Sequence, residues 1–104
     1  MQISIGRIVI YVLTAEDAQK INRRRTSGAA IAERIESATW PIGAQAHIGN
    51  DVSEGYEFPM IVTKNWGGSV NAQVLLDGND CLWVCSVQEG TAPGSWHWPP
   101  KIVN

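Results

Sequence analysis

Cysteine, histidine and phenylalanine are scarce here, with two, two and one in 104 residues, and no sign of charge dominates, the net being -2. Two cysteines are too few for a disulfide-stapled scaffold. Cys81 and Cys85 lie four apart in an apparent strand, on one side and about 13 Å from each other. They cannot bridge without breaking the strand, so buried free thiols are expected. Together with His47 and His97 they follow no ligand spacing of a metal centre, and no metal or cofactor is expected. His47 stands alone, and a hydrogen-bonded structural role suits it better than a catalytic one. Near-neutral charge excludes a general binder of nucleic acid polymers, which need a basic face.

Long apolar runs are absent too. Ile8–Leu13 is too short to span a bilayer, and Met1–Ser4 has no basic n-region of a secretory signal. A cytoplasmic protein with no membrane partner is the expectation. No repeat, linker or low-complexity tract divides the chain, so residues 1–104 read as one domain. At 44% hydrophobic and 17% charged it is globular. So short a chain buries a modest core, and association with copies of itself would help it. No phosphate-binding glycine loop, nucleophile elbow or metalloprotease motif is present. The Asp77 and Asp80 carboxylates are explained by turn chemistry. Binding without turnover is the expectation: no catalytic residue and no enzyme.

What the chain does have is one convincing helix, Thr14–Ser37. Thr14 and Asp17 form a capping box, and Glu16 and Asp17 put negative charge in the first turn, where the helix dipole favours it. At 100° per residue Ala18, Ile21, Gly28, Ala29 and Ala32 share an apolar stripe. Arg25 falls on that stripe, so it needs a partner, a wet interface, or a break in the helix at Thr26-Ser27-Gly28. Arg23, Arg24 and Arg25 beside the Thr26 and Ser27 hydroxyls are the groups a phosphate wants; a merely solvated basic face is the plain alternative. The small-residue surface beyond Gly28 would let a second helix approach closely.

Around this helix the pattern is of strands. Ile3–Leu13 is apolar on both faces, with a bulge or turn at Gly6-Arg7, and should be covered on both sides. Trp40-Pro41 ends the helical region. Phe58–Thr63, Val70–Leu76 and Cys81–Val87 read as an antiparallel meander with a hairpin at Asp77-Gly78. Cys81, Trp83, Cys85 and Val87 would face one way, Leu82, Val84 and Ser86 the other. Asn71 and Gln73 make a mixed sheet face that either contacts a ligand or subunit or is solvated. The expected fold is therefore α+β: an N-terminal strand, one main helix packed on the sheet, then a small antiparallel β-meander. Five tryptophans include Trp96 and Trp98 around His97. At least one plugs the core or an interface, and the other either does the same or is a stacking surface for a base.

The blocks Ile21–Thr26, Gly43–Asn50, Leu76–Val84 and Gly94–Pro99 resemble those of small phage-encoded proteins of this length. In size, layout and helix motif the chain is similar to the first-described Thoeris anti-defence sponge family. That resemblance implies binding of cyclic ADP-ribose isomer signals without cleavage. In some members it also implies binding of cyclic di- or trinucleotides at separate sites, in hexamers built from dimers. It implies small cyclic nucleotides as partners and a homo-oligomer, dimer or hexamer, in the host bacterial cytosol. Arg23, Arg24, Arg25, Thr26 and Ser27 would be the phosphate contacts; Asn71, Gln73, Trp96, His97 and Trp98 are the candidates for base and ribose. The competing expectation is a protein–protein inhibitor of a host factor, with the tryptophan tail as its hot spot, or a minor phage structural protein.

Overall fold

The structure, a computed structural model, describes residues 2–25 and 48–100. Its described elements run β1 (Ile8–Val12), α1 (Ala15–Arg24), β2 (Glu57–Asn65), β3 (Val70–Leu75), β4 (Cys81–Glu89) and β5 (Ser95–His97). The five strands close into a barrel in the order β1-β2-β3-β4-β5. All neighbours are antiparallel except β4 and β5, which run parallel.

This overturns the expected α+β fold. The chain is mostly β, the N-terminal strand is a stave of the barrel, and the described helix is short. Closure comes from Tyr11 pairing with Trp96 and Ile10 with His97, a contact that joins residues more than eighty apart. A barrel has no edge strand to protect. The turn expected at Gly6-Arg7 is present, with Gly6 at φ 89°.

Alternation along each strand sends one set of side chains into the barrel. Val9, Tyr11, Met60, Val62, Val70, Ala72, Val74, Leu82, Val84, Val87 and Trp96 fill it, all buried. Each large apolar side chain so enclosed stabilises the fold by about 1.5–3 kcal/mol. The other face of β1 is not fully covered as expected, since Ile8 is 55% exposed.

In β4 the inward positions are Leu82, Val84 and Val87. Ser86, at φ 55°, is the extra residue of a bulge against β3, and its N–H donates to Asn71 Oδ1. The bulge swaps the faces of everything after it, so Val87 points in rather than siding with Trp83 and Cys85. Cys81 and Cys85, which precede the bulge, face outward with Trp83 and are exposed, against the expectation of buried thiols.

Helix α1 lies at the end of the barrel where β1 finishes and packs into the same core cluster. Thr14 Oγ1 accepts from the Asp17 N–H and the Asp17 carboxylate accepts from the Thr14 N–H, the capping box foreseen. The same carboxylate accepts the Tyr11 hydroxyl. Burial first, and then Asp17, push the Tyr11 phenol well above its ordinary pKa. Ala18 and Ile21 are buried over the core. Asn22 gives its amide to Val52 C=O and takes the Val52 N–H, fixing the segment before β2 to the helix. The helix ends at Arg24, because Arg25 is extended at φ -69°, ψ 136°. The break therefore precedes Thr26. The expected continuation through Ser37 and the turn at Trp40-Pro41 lie outside the described residues.

Candidate functional site

At the helix end of the barrel, three segments far apart in sequence meet. Arg24 and Arg25 close α1, Ile48-Gly49-Asn50 comes next in the described chain, and Asp77–Cys81 makes the turn from β3 to β4. Arg24 Nη2 donates to Cys81 C=O at 2.7 Å, and its Nε lies 3.0 Å from Asp80 Oδ2. Arg25 Nη1 pairs with Asp80 Oδ1. The Asp80 side chain is 4% exposed and that of Arg25 6%, whereas Arg24 keeps 29%. One buried carboxylate thus holds two guanidiniums. It answers the question the apolar stripe posed: the partner Arg25 requires is Asp80, fifty-five residues on.

The turn is built around that arginine. Gly49 and Gly78 form a β-bridge. A Cβ on Gly78 would lie 2.5 Å from Ile48 O and 2.7 Å from Arg25 Nη1; one on Gly49 would lie 2.5 Å from Asp77 O and 2.7 Å from the same nitrogen. Side chains are excluded because the guanidinium already fills the space. Ile48 N–H donates to Asn79 Oδ1, Asn79 N–H to Ile48 C=O, and Asn50 N–H to Asp77 C=O. Asn50 Nδ2 donates to the Asp77 carboxylate. A shallow groove of about 590 Å³ runs over this turn, lined by Ile48, Gly49, Asn50, Asp77, Gly78 and Asn79. The Arg25 Nε and Nη2 groups are buried with no hydrogen-bond partner among the described residues.

Of the residues expected to bind phosphate, Arg25 is buried as structure, and Arg24 is anchored but reachable. Arg23 is exposed, its Nε donating back to Gln19 C=O. Thr26 and Ser27 lie outside the described residues, as does His47. Asn71 is committed within the fold: its Oδ1 accepts from Trp66 Nε1 as well as from Ser86 N–H. Gln73 faces outward and accepts from Cys81 Sγ at 3.3 Å. Trp96 is a core residue, 4% exposed. Trp98 is partly buried and meets it edge-to-face at 5.6 Å. His97 points outward between them, its Nε2 3.3 Å from Glu57 Oε2 and its buried Nδ1 without a partner among the described residues. The arginines and the tryptophan tail are therefore not one site.

Sequence reasoning passed over Asp80, Asp77, Asn50, Gly49 and Gly78. The carboxylates were hidden because turns explain them by themselves. A signal was present: an arginine on an apolar stripe demands a carboxylate, and Asp80 directly precedes a strand.

Elsewhere an uncharged, largely apolar patch lies on the outer face of β1 to β4. The registered row Ile8, Ile61, Gln73 and Trp83 crosses all four strands, with Trp83 59% and neighbouring Leu75 42% exposed. No group of histidine, cysteine and carboxylate that could hold a metal occurs among the described residues. Among them, too, no helix is long and apolar enough to cross a membrane. Compared with protein-family models, curated proteins and solved structures, the chain matches none of them.

Proposed function

We propose that this protein captures a small cyclic nucleotide signal and holds it uncleaved, as the phage anti-defence sponges it resembles do. The observation that supports this reading is spatial. Three of the blocks that carry the likeness, around Arg24, Gly49 and Asp80, converge on one groove at the helix end of the barrel. Arg24 and Arg25 stand beside it with Asp80, and Arg24 keeps part of its side chain exposed for an anion. Arg24 is the reachable member, held by Asp80 and Cys81 C=O so that little side-chain freedom is lost when a phosphate arrives.

The protein acts in the host cytosol and as a homo-oligomer. The exposed, uncharged Trp83 face suits contact with a second copy, because like charges do not oppose it. That same face favours the second reading, an inhibitor that docks on a host protein.

Native mass spectrometry with a panel of cyclic ADP-ribose isomers and cyclic di- and trinucleotides tests the proposal. The expected result is a retained ligand of sub-micromolar affinity, more favourable than about -8 kcal/mol, recovered intact after the protein is denatured. Arg24→Ala should weaken it at least tenfold while leaving the fold intact. A panel in which no member is retained, or a ligand recovered cleaved, overturns it.

A further inference from the structure

On the outer face of the barrel two exposed tryptophans flank two amides. Trp66, in the turn from β2 to β3, is 60% exposed, and Trp83, on β4, is 59% exposed. Asn71 and Gln73 lie between them on β3. Two residues apart, they share a face and stand about 6.8 Å from each other along the strand. Gln73 is registered with Trp83. From this face we infer a docking surface for a proline-rich segment of a partner protein, held in the polyproline II conformation. The inference does not rest on the reading of the arginine groove.

The hydrogen bonds decide the kind of partner. Asn71 Oδ1 accepts from Trp66 Nε1 at 3.1 Å and from Ser86 N–H at 3.0 Å, which takes both of its lone pairs. Gln73 Oε1 accepts from Cys81 Sγ at 3.3 Å. With those oxygens spent inside the fold, what each amide has left to give is its NH2 group, and the Trp83 indole is a donor only. The face therefore combines flat apolar rings with hydrogen-bond donors. Proline is the matching residue: it has a ring, a carbonyl that accepts, and no N–H to satisfy. In a polyproline II helix no carbonyl is used internally, and one turn rises about 9.3 Å, long enough to lie along both amides. A glycan brings hydroxyl donors as well as acceptors, and the spent oxygens do not answer them.

Trp66 is also held in place before any partner arrives. Its ring N–H is tied to Asn71, and Lys64 Nζ sits 4.8 Å from its centroid, taking one face and leaving the other. Ser86, at φ 55°, adopts a left-handed conformation that side chains rarely take, and its N–H fixes Asn71 in turn. An exposed indole so fixed has little freedom left to lose on binding. Aromatic surfaces of this kind recognise the preformed, low-entropy polyproline helix.

The test titrates the full chain with decaproline, a glycine–serine peptide of the same length and a neutral hexasaccharide, read by tryptophan fluorescence and calorimetry. Decaproline should bind and change the fluorescence, with the glycine–serine peptide at least tenfold weaker and the hexasaccharide silent. Asn71→Asp and Gln73→Glu keep the accepting oxygens but remove the NH2 donors. Each should cost at least tenfold with an unchanged melting temperature. Trp66→Ala should cost at least tenfold and leave the sedimentation velocity unchanged, which separates peptide docking from contact between copies through Trp83. Arg24→Ala should leave decaproline binding untouched. Four results overturn the inference: no decaproline binding at millimolar concentration, equal affinity for the glycine–serine peptide, equal affinity for the hexasaccharide, or decaproline binding that survives Trp66→Ala and both acidic variants.

Discussion

Asp80→Asn removes the negative charge that two arginines share while keeping the side chain's size. The cost falls unevenly. Arg24 retains 29% exposure and can turn to water, but the Arg25 side chain is 6% exposed and has nowhere to go. Breaking a buried pair by removing one partner costs about 3–5 kcal/mol, since it strands a desolvated charge. Against a total stability of about 5–15 kcal/mol for a domain, that is a large share. At roughly 4–8 °C per kcal/mol for a small domain, the melting temperature should fall by on the order of 12–40 °C. Urea unfolding at neutral pH, read by tryptophan fluorescence, measures the loss. Arg25→Met combined with Asp80→Leu should recover most of it, because an apolar pair of similar volume has no charge to desolvate. Arg24→Ala alone should cost about 1 kcal/mol or less, as exposed pairs do. A loss under about 1 kcal/mol for Asp80→Asn would refute the reasoning, since it would mean that Arg25 is solvated and not locked.

Gly78→Ala, which places a Cβ 2.5 Å from a backbone oxygen, should destabilise by about 1–3 kcal/mol as overpacking does, while Gly68→Ala should not; paired thermal melts decide. Tyr11→Phe should cost about 1.5–3 kcal/mol at neutral pH through the lost bond to Asp17. The Tyr11 pKa is raised in the folded state, so its contribution is fully present below about pH 10, the unfolded value, and is lost as pH climbs above it. Wild-type urea midpoints should therefore fall more steeply above pH 10 than those of Tyr11→Phe, and parallel curves would contradict the assignment. Trp83→Lys should weaken self-association at least a hundredfold in sedimentation velocity, in line with the loss of an aromatic hot spot; an unchanged mass distribution counts against that face.

The strands were legible because alternation is a local signal. The apolar runs at Ile8, Phe58, Val70 and Cys81 stand where strands stand, and Thr14 with Asp17 announced the helix start. Closure was not legible. It depends on a three-residue strand, Ser95–His97, too short to show a period and masked by its tryptophans, which read as a binding surface. Without β5 the same strands make a meander beside a helix, which is the fold the sequence suggested. The face of Cys85 and Val87 went wrong at Ser86, where a bulge left no mark in composition. At the candidate site, Arg25 advertised its need for a counter-charge, but its spacing could not say where in the chain the carboxylate would be found.

The seam between Ile10 and His97 carries a consequence for biosynthesis. β1 leaves the ribosome early yet remains without one neighbour until residues 95–97 have been made, so its hydrogen-bonding groups and Tyr11 wait through most of translation. Barrels dominated by such distant pairings fold in milliseconds to seconds rather than microseconds. A nascent chain stalled before Trp96 should therefore be an open, protease-sensitive ribbon, and completion of a single turn and three residues should convert it into a sealed tube.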